Sequence, residues 1–338
     1  MIATAPGKLI LTGEYAVLDG APAIVVAVDR RVIARQTATP RGSSTFLLAV
    51  ADEIAARRGA DDPATRAALE ISVDSTAFYD KITKLGLGSS AAVTVAATAL
   101  ALGTVDRDEV LAIALAAHAR AQGPRGARGS GADIAASVYG GTIVFSRVAP
   151  WPASARGSQP VLALDAAASP PATCRIERRR WPASVTLLPF FTGAAADTAS
   201  LVARVTAARE SNRAAVEAAL AAITDASRAA CAALAAPADI TAVALIGALA
   251  LAGNAVDRLA LATAIPLVPP CVIAARGAMA ALGGTAKTTG AGGGDIGVAV
   301  LPATVDATLA TRALIEAGCQ PLRIALDDTG VDLRADAS

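Results

Sequence analysis

The chain has 338 residues, 54% of them hydrophobic and 17% charged, with 30 lysines and arginines against 29 acids for a formal net charge of +1. That length can bury a substantial core and supports two domains, and the near-neutral balance argues against a broad nucleic-acid-binding surface. Cys174, Cys231, Cys271 and Cys319 are scattered, without CxxC or ligand-like spacing, and read as reduced, mostly buried thiols of a cytoplasmic protein.

The opening MIATAPGKLI lacks the basic and apolar regions of a signal peptide. A glycine-bearing segment, APGKLILTGEYAVLDG, leads into IVVAVDRRVIARQTA, which is β-branched, partly alternating and predicts strands. KLGLGSSAAVTVAATAL, from Lys84 to Leu100, then passes from glycines into an alanine-rich helix. Two physical readings of its start are open: a tight strand-to-helix turn capped by Ser89 or Ser90, or a cradle in which free helix N–H groups and close-approaching glycines hold a phosphate. Gly103 is placed to end that helix. DRDE starts the next, with Asp106 as N-cap and Glu109 at the capping-box position. It runs to about Gln122, stops at GPRGARGSGAD, and is followed by the strand GGTIVF.

Residues from Ala149 to Pro182 are rich in Pro, Ser, Arg and Ala and read as irregular structure at a domain boundary. The second half predicts a strand and turn at SVTLLPFFTG, then long alanine-rich helices. Its most membrane-like run, between Asp239 and Asp257, offers roughly 17 uncharged residues where ~20 are needed to span a bilayer, so a buried helix is expected. KTTGAGGGDIGVAVL, a helix and a final strand around PLRIAL close the chain. Strands mixed with helices in both halves predict two α+β domains, residues 1–180 and 181–338.

Familiar catalytic motifs are missing: there is no GxxxxGK[ST], no GxGxxG after a strand and no GxSxG. The single histidine, His118, lies inside an alanine-rich helix and reads as packing or surface. What remains is a set of glycine-rich loops accompanied by Lys8, Lys84, Asp133 and Lys287, a combination that points to convergence on a polyanionic ligand.

Taken in order, these loops resemble the GHMP kinases. GLGSSAA is similar to that family's ATP-phosphate loop, TGAGGGD to its C-terminal glycine motif, and APGKLILTGEYAVLDGAPAIVVAVD to the opening of the mevalonate and phosphomevalonate kinase branch. GSGADIAASVYGG, GEY in place of GEH, and FTGAAADTASLVARV look most like the phosphomevalonate kinase subgroup. Mevalonate kinase, or another small-molecule kinase of the family, is the alternative within enzymes, and a non-catalytic nucleotide-binding regulator the alternative outside them. The resemblance implies an α+β two-domain GHMP kinase fold: a ribosomal protein S5 domain 2-like N-terminal domain, a ferredoxin-like C-terminal domain, and a cleft between them. It implies a cytoplasmic phosphotransferase of isoprenoid synthesis that uses ATP and Mg²⁺ on a small-molecule acceptor, with no nucleic-acid or membrane partner; a homodimer is compatible with it.

Carried over residue by residue, the resemblance places Lys84, Gly86, Leu87, Gly88, Ser89, Ser90 and Ala91 around the nucleotide, with Ser90 on Mg²⁺. Asp133 would lie near the acceptor oxygen as general base or orienting group, with Lys8 beside it and beside the transferring phosphate. Tyr15 is a candidate substrate contact or an aromatic anchor. Ser130 and Gly131 would face the substrate, as would the backbone of Gly290, Ala291 and Gly292, while Asp295 would fix that last loop. Arg125, Arg128 and Arg147 flank the Asp133 loop and are candidates for the substrate's phosphate. One departure concerns the metal: mevalonate kinases carry a magnesium-binding glutamate on the helix before the catalytic-aspartate loop, and here no acid lies between Glu109 and Asp133. Gln122 falls in that neighbourhood.

Overall fold

The computed structural model describes residues 1–37, 44–123, 129–148 and 173–335. Its first sheet is built on β1 (Ile2–Ile10) and β2 (Ala23–Gln36), which pair antiparallel along all of β1 with a register shift between Pro6 and Gly7. Ala23–Val28, a continuous apolar run, is fully buried, as a strand covered on both faces requires. β6 (Thr142–Arg147) and β7 (Cys174–Arg179) extend the sheet beyond β2, and β3 (Ile71–Asp74) pairs with the far part of β2. β12 (Asp332–Arg334) closes the other side against β1.

α3 (Ser89–Leu102) and α5 (Ala132–Tyr139) lie on β1 and β2, while α1 (Thr45–Arg58), α2 (Pro63–Leu69) and α4 (Arg107–Gln122) pack around α3. α3 is small or aliphatic on every side, and twelve of its fourteen residues are buried, the environment such a helix needs. Gly103 ends it in the left-handed conformation. Asp106 caps α4, accepting from the N–H groups of Asp108 and Glu109 at 3.1 and 3.0 Å. The expected capping box is only half made, because Glu109 turns outward to Arg58 and Thr104 accepts the Asp106 N–H.

The second sheet has the order β11 (Gln320–Pro321), β8 (Val185–Phe191), β10 (Ile296–Pro302), β9 (Thr285–Thr288), all antiparallel. α9 (Pro270–Ala280) and α10 (Ala307–Glu316) pack with it, and α6 (Thr198–Ser211), α7 (Arg213–Leu234) and α8 (Ala238–Thr263) complete this half. Among the described residues one helix stretch, Ile240–Thr263, is long and apolar enough to cross a membrane. Half of it is buried, and α8 packs on α7 and β9. That is the behaviour of a core helix.

Three expectations need correction. Cys174–Arg179 is strand β7, so the irregular stretch ends earlier than its composition implied; residues 149–172 lie outside the described residues. The last residues do not belong to the second half. Leu326 bridges to Val28 and β12 pairs with β1, because the start of β1 has an open edge whose backbone groups need partners. Of the four free cysteines only Cys319 is buried; the other three are half-buried.

Candidate active site

Among the described residues the open edge of β1 has no strand partner beyond Thr4, and loops take its place. The Lys8 N–H donates to the Leu87 carbonyl at 2.9 Å, and the Gly290 N–H donates to the Ile10 carbonyl at 3.3 Å. α5 docks alongside, its Ser137 hydroxyl donating to the Pro6 carbonyl at 2.8 Å. Three motifs far apart in sequence therefore meet on Pro6, Lys8 and Ile10 of one strand.

The GLGSS turn answers the question its sequence leaves open. The N-cap of α3 is Gly88, in the left-handed conformation (φ 78°), and no side chain caps it. Neither Ser89 nor Ser90 plays that part, so the first-turn N–H groups are left for a ligand or water. A Cβ on Gly88 would stand 2.9 Å from Lys8 Cε, and a Cβ on Gly86 (φ 70°) would overlap the Asp295 carboxylate. The lysine and the aspartate thus press directly on the two glycines of the turn. Lys84, exposed at the end of the short hairpin β4 (Tyr79–Asp80) and β5 (Thr83–Lys84), adds a positive charge that both feel.

Lys8 is half-buried on β1 and, among the described residues, makes no ion pair. Burial pushes its pKa below the ordinary lysine value, while Asp133 and then Asp295 pull it back up. Asp133 stands in the first turn of α5, where the helix dipole favours a carboxylate, and its Oδ1 accepts from the Ile134 N–H at 3.0 Å. Asp295 does fix its loop, as expected. It adopts a left-handed φ of 53°, accepts from the Ala196 N–H at 3.1 Å and is bonded through its own backbone to Thr192 and Ala194. Burial raises its pKa, opposed by that N–H and by Lys8 and Lys84.

Other predicted residues are placed differently. Lys287 is fully buried and paired with the fully buried Glu14, so it does not join Lys8 and Lys84 at a polyanion. Burial raises the Glu14 pKa against the pull of Lys287. The neighbouring Tyr15 is 8% exposed, and its hydroxyl donates to the Ala291 carbonyl at 2.6 Å. It sits in an apolar cluster with Leu201, Val205 and Leu267, the aromatic-anchor reading of the two offered by the sequence. Ser130 accepts from the Ala132 N–H at 3.2 Å, and Gly131 is the left-handed N-cap of α5. Gly290, Ala291 and Gly292 are tied respectively to Ile10, Tyr15 and Thr289; of the two glycines, Gly290 adjoins open space and Gly292 is pressed against the Leu267 carbonyl. Arg125 and Arg128 lie outside the described residues. Arg147 ends β6, opposite Cys174, with its carbonyl near Gly20.

Two residues near the site were not expected there from the sequence, which read His118 only as packing or surface. His118 of α4 reaches Ser90, its Nε2 lying 3.2 Å from the Ser90 Oγ. Arg204 of α6, exposed, sits close enough to Tyr15 to influence it. A lone histidine in an alanine helix carries no local pattern, and Arg204 is near only because α6 folds back over the first loop.

The chain is similar to known proteins. Residues 45–141 match the model of the GHMP kinases N terminal domain. A phosphomevalonate kinase from Streptomyces sp. (strain CL190) is 31% identical, the alignment covering 94% of this chain and 95% of the relative. Among solved structures, the Lin0012 protein from Listeria innocua superposes with a TM-score of 0.76 at 20% identity over 99% of both chains. Streptococcus pneumoniae phosphomevalonate kinase in complex with phosphomevalonate and AMPPNP superposes with a TM-score of 0.72 at 18% identity, over 96% of this chain and 99% of that one.

Proposed function

The chain belongs to the GHMP kinases, in the phosphomevalonate kinase family, and from that premise we propose that it transfers the γ-phosphoryl group of ATP to 5-phosphomevalonate, giving ADP and 5-diphosphomevalonate. The observation that carries this reading is the meeting of the GLGSS turn, the third glycine loop and α5 on β1, with Lys8, which makes no ion pair among the described residues, at the junction. Phosphoryl transfer asks mainly for positioning and charge neutralisation. The uncapped start of α3, from Gly88 to Ala91, receives the triphosphate. Lys8 lies between that turn and Asp133, where a cation offsets the charge that develops during transfer.

The acceptor bears on the role of Asp133. A phosphate monoester has a second pKa of about 6, so its oxygen is already largely deprotonated at neutral pH and needs no strong base. Asp133 accordingly orients: it holds Lys8 charged and in place and keeps the acceptor's approach in line. The acceptor's dianion calls for cations of its own, for which Arg128 and Arg147 are the sequence candidates and Arg204, beside Tyr15, a third.

Mg²⁺ fits the donors available. Among the described residues no group of three or more His, Cys, Asp or Glu is arranged for a metal. A hard ion carried by nucleotide oxygens and water needs only one or two protein oxygens, and the Ser90 hydroxyl at the start of α3 supplies one. When bound, the ion neutralises charge on the phosphates.

The test is ADP release with phosphomevalonate, mevalonate, homoserine and galactose in parallel. Turnover with phosphomevalonate alone is expected. Turnover with mevalonate in its place would sink the acceptor assignment, and no turnover with any of them, with nucleotide still bound, would favour a regulator.

A further inference from the structure

His118 stands on α4, and its surroundings are specific. The ring is 4% exposed and stacks on Phe46 with centroids 5.3 Å apart and planes inclined by 24°. Its Nε2 meets two partners, the Ser90 Oγ at 3.2 Å and the Gln122 Nε2 at 3.4 Å. Gln122 lies one turn further along α4, and its Oε1 is turned away toward Gly129. With the Gln122 amide oriented this way its nitrogen donates, which assigns the His118 Nε2 as acceptor and the ring proton to Nδ1. The Ser90 hydroxyl, nearer to the same nitrogen, is assigned as a donor sharing that lone pair.

That assignment fixes what Ser90 offers on its other side. A hydroxyl has one proton and two lone pairs. With the proton directed at His118, the lone pairs are left for the mouth of the turn. Phosphate oxygens accept hydrogen bonds and gain nothing from such a group, whereas a divalent cation is bound by it. We propose that His118 is a positioning residue for the phosphate loop, holding the Ser90 proton so that the Ser90 oxygen is presented to the cation that accompanies the nucleotide. α4 then serves the metal through an imidazole behind a serine. The inference rests on the reading of the GLGSS turn as the nucleotide site, and Phe46 and Gln122 enter it as the groups that set the ring's plane and its tautomer.

The experiment is calorimetric titration of the full-length protein with AMPPNP, once with Mg²⁺ in excess and once with EDTA. The readout is the ratio of the two dissociation constants, which isolates the metal's contribution and does not depend on turnover. His118→Phe keeps the volume and the stacking on Phe46 but cannot accept a proton. Its ratio should fall by roughly ten- to a hundredfold, the usual cost of losing a partner behind a metal ligand, with the EDTA constant close to wild type. Ser90→Ala should lower the ratio similarly, and the double variant should lose little more than either single one. His118→Gln, whose side-chain oxygen can take the same proton, should restore most of the ratio. Should His118→Phe fail to fold, His118→Met asks the same question with a flexible apolar side chain. A His118→Phe or His118→Met ratio equal to wild type, or a loss fully additive to that of Ser90→Ala, would overturn the proposal while leaving the nucleotide site standing. A wild-type protein that does not bind AMPPNP at all would overturn the site reading and this inference together.

Discussion

Lys8 and Lys287 both come from motif segments, both are withdrawn from solvent, and their surroundings are opposite. Lys287 is fully buried at the seam between the two sheets and is matched by an equally buried Glu14, with a second bond to the Thr288 carbonyl at 2.7 Å. Lys8 lies under Gly88, within the field of Asp133 and Asp295, yet paired with neither. A buried charge with its counter-charge in place is satisfied by the fold itself. A half-buried charge without one, its pKa depressed, is held for something that arrives. The difference separates a lysine that builds the site from one that works in it, although the sequence presents them alike.

The comparison can be broken most severely at Asp133. Asp133→Ala should lower kcat by roughly 10²-fold or more, the cost of misplacing the reacting groups, while AMPPNP affinity stays near wild type. Asp133→Asn separates charge from shape. If Asp133 orients Lys8 and the acceptor, the Asn variant is slow but keeps the acid limb of kcat/KM near pH 6 that belongs to the substrate's phosphate. Near-normal kcat in Asp133→Ala would remove this residue from the working half of the comparison.

The lysines themselves come next. Lys287→Met strands Glu14 in the interior, a defect that typically costs about 3–5 kcal/mol, so Tm should fall by many degrees. Adding Glu14→Gln should recover most of the loss, because the charge then has no need of a partner. Lys8→Met replaces a charge that burial disfavours with an apolar chain of similar length. Tm should hold or rise while kcat collapses. Equal Tm losses in the two methionine variants would erase the distinction.

Much of this was legible beforehand, and for local reasons. The start of α3 at the glycines, its end at Gly103 and the Asp106 cap follow from backbone conformation and short-range hydrogen bonding. The family motifs located Lys8, Asp133 and the glycine turn, since each is a contiguous string. The missing parts are partnerships across long separations. Glu14 with Lys287, Tyr15 with Ala291 and Ser90 with His118 join residues that no local pattern connects. A charge count near glycines could not tell which lysine was already neutralised. β12 went unplaced because its three residues are decided by the open edge of β1, far away in the chain.

A smaller effect is expected at Gly88. Gly88→Ala asks an L-residue to hold φ 78° and sets its methyl 2.9 Å from Lys8 Cε. The flexible lysine can move aside, so the fold should survive with a strain of roughly 1 kcal/mol. The displaced ammonium should weaken AMPPNP binding several-fold and lower kcat more than it alters Tm. Unchanged binding and rate would mean that Lys8 does not depend on the turn above it.

The finest test reads the charge of Lys8 directly. Its pKa in the folded protein lies below the ordinary lysine value because burial outweighs the attraction of Asp133 and Asp295. Between that lowered value and about 10.4 the unfolded chain binds more protons at this site than the native one. The slope of unfolding free energy with pH is proportional to that difference, so the contribution of Lys8 to stability rises with pH across this window. Activity should move the other way, because the neutral amine can no longer offset charge on the transferring phosphate. The alkaline limb of kcat/KM, which reports the free enzyme, should therefore fall at a pH where Tm is not falling on account of Lys8. Lys8→Arg carries a guanidinium that stays charged well beyond this window. Whatever rate it retains should lose that limb, and its Tm should lose the matching upward slope. A Lys8→Arg profile that keeps the wild-type limb would assign the limb to another group and leave Lys8 no different, in this respect, from its buried counterpart at position 287.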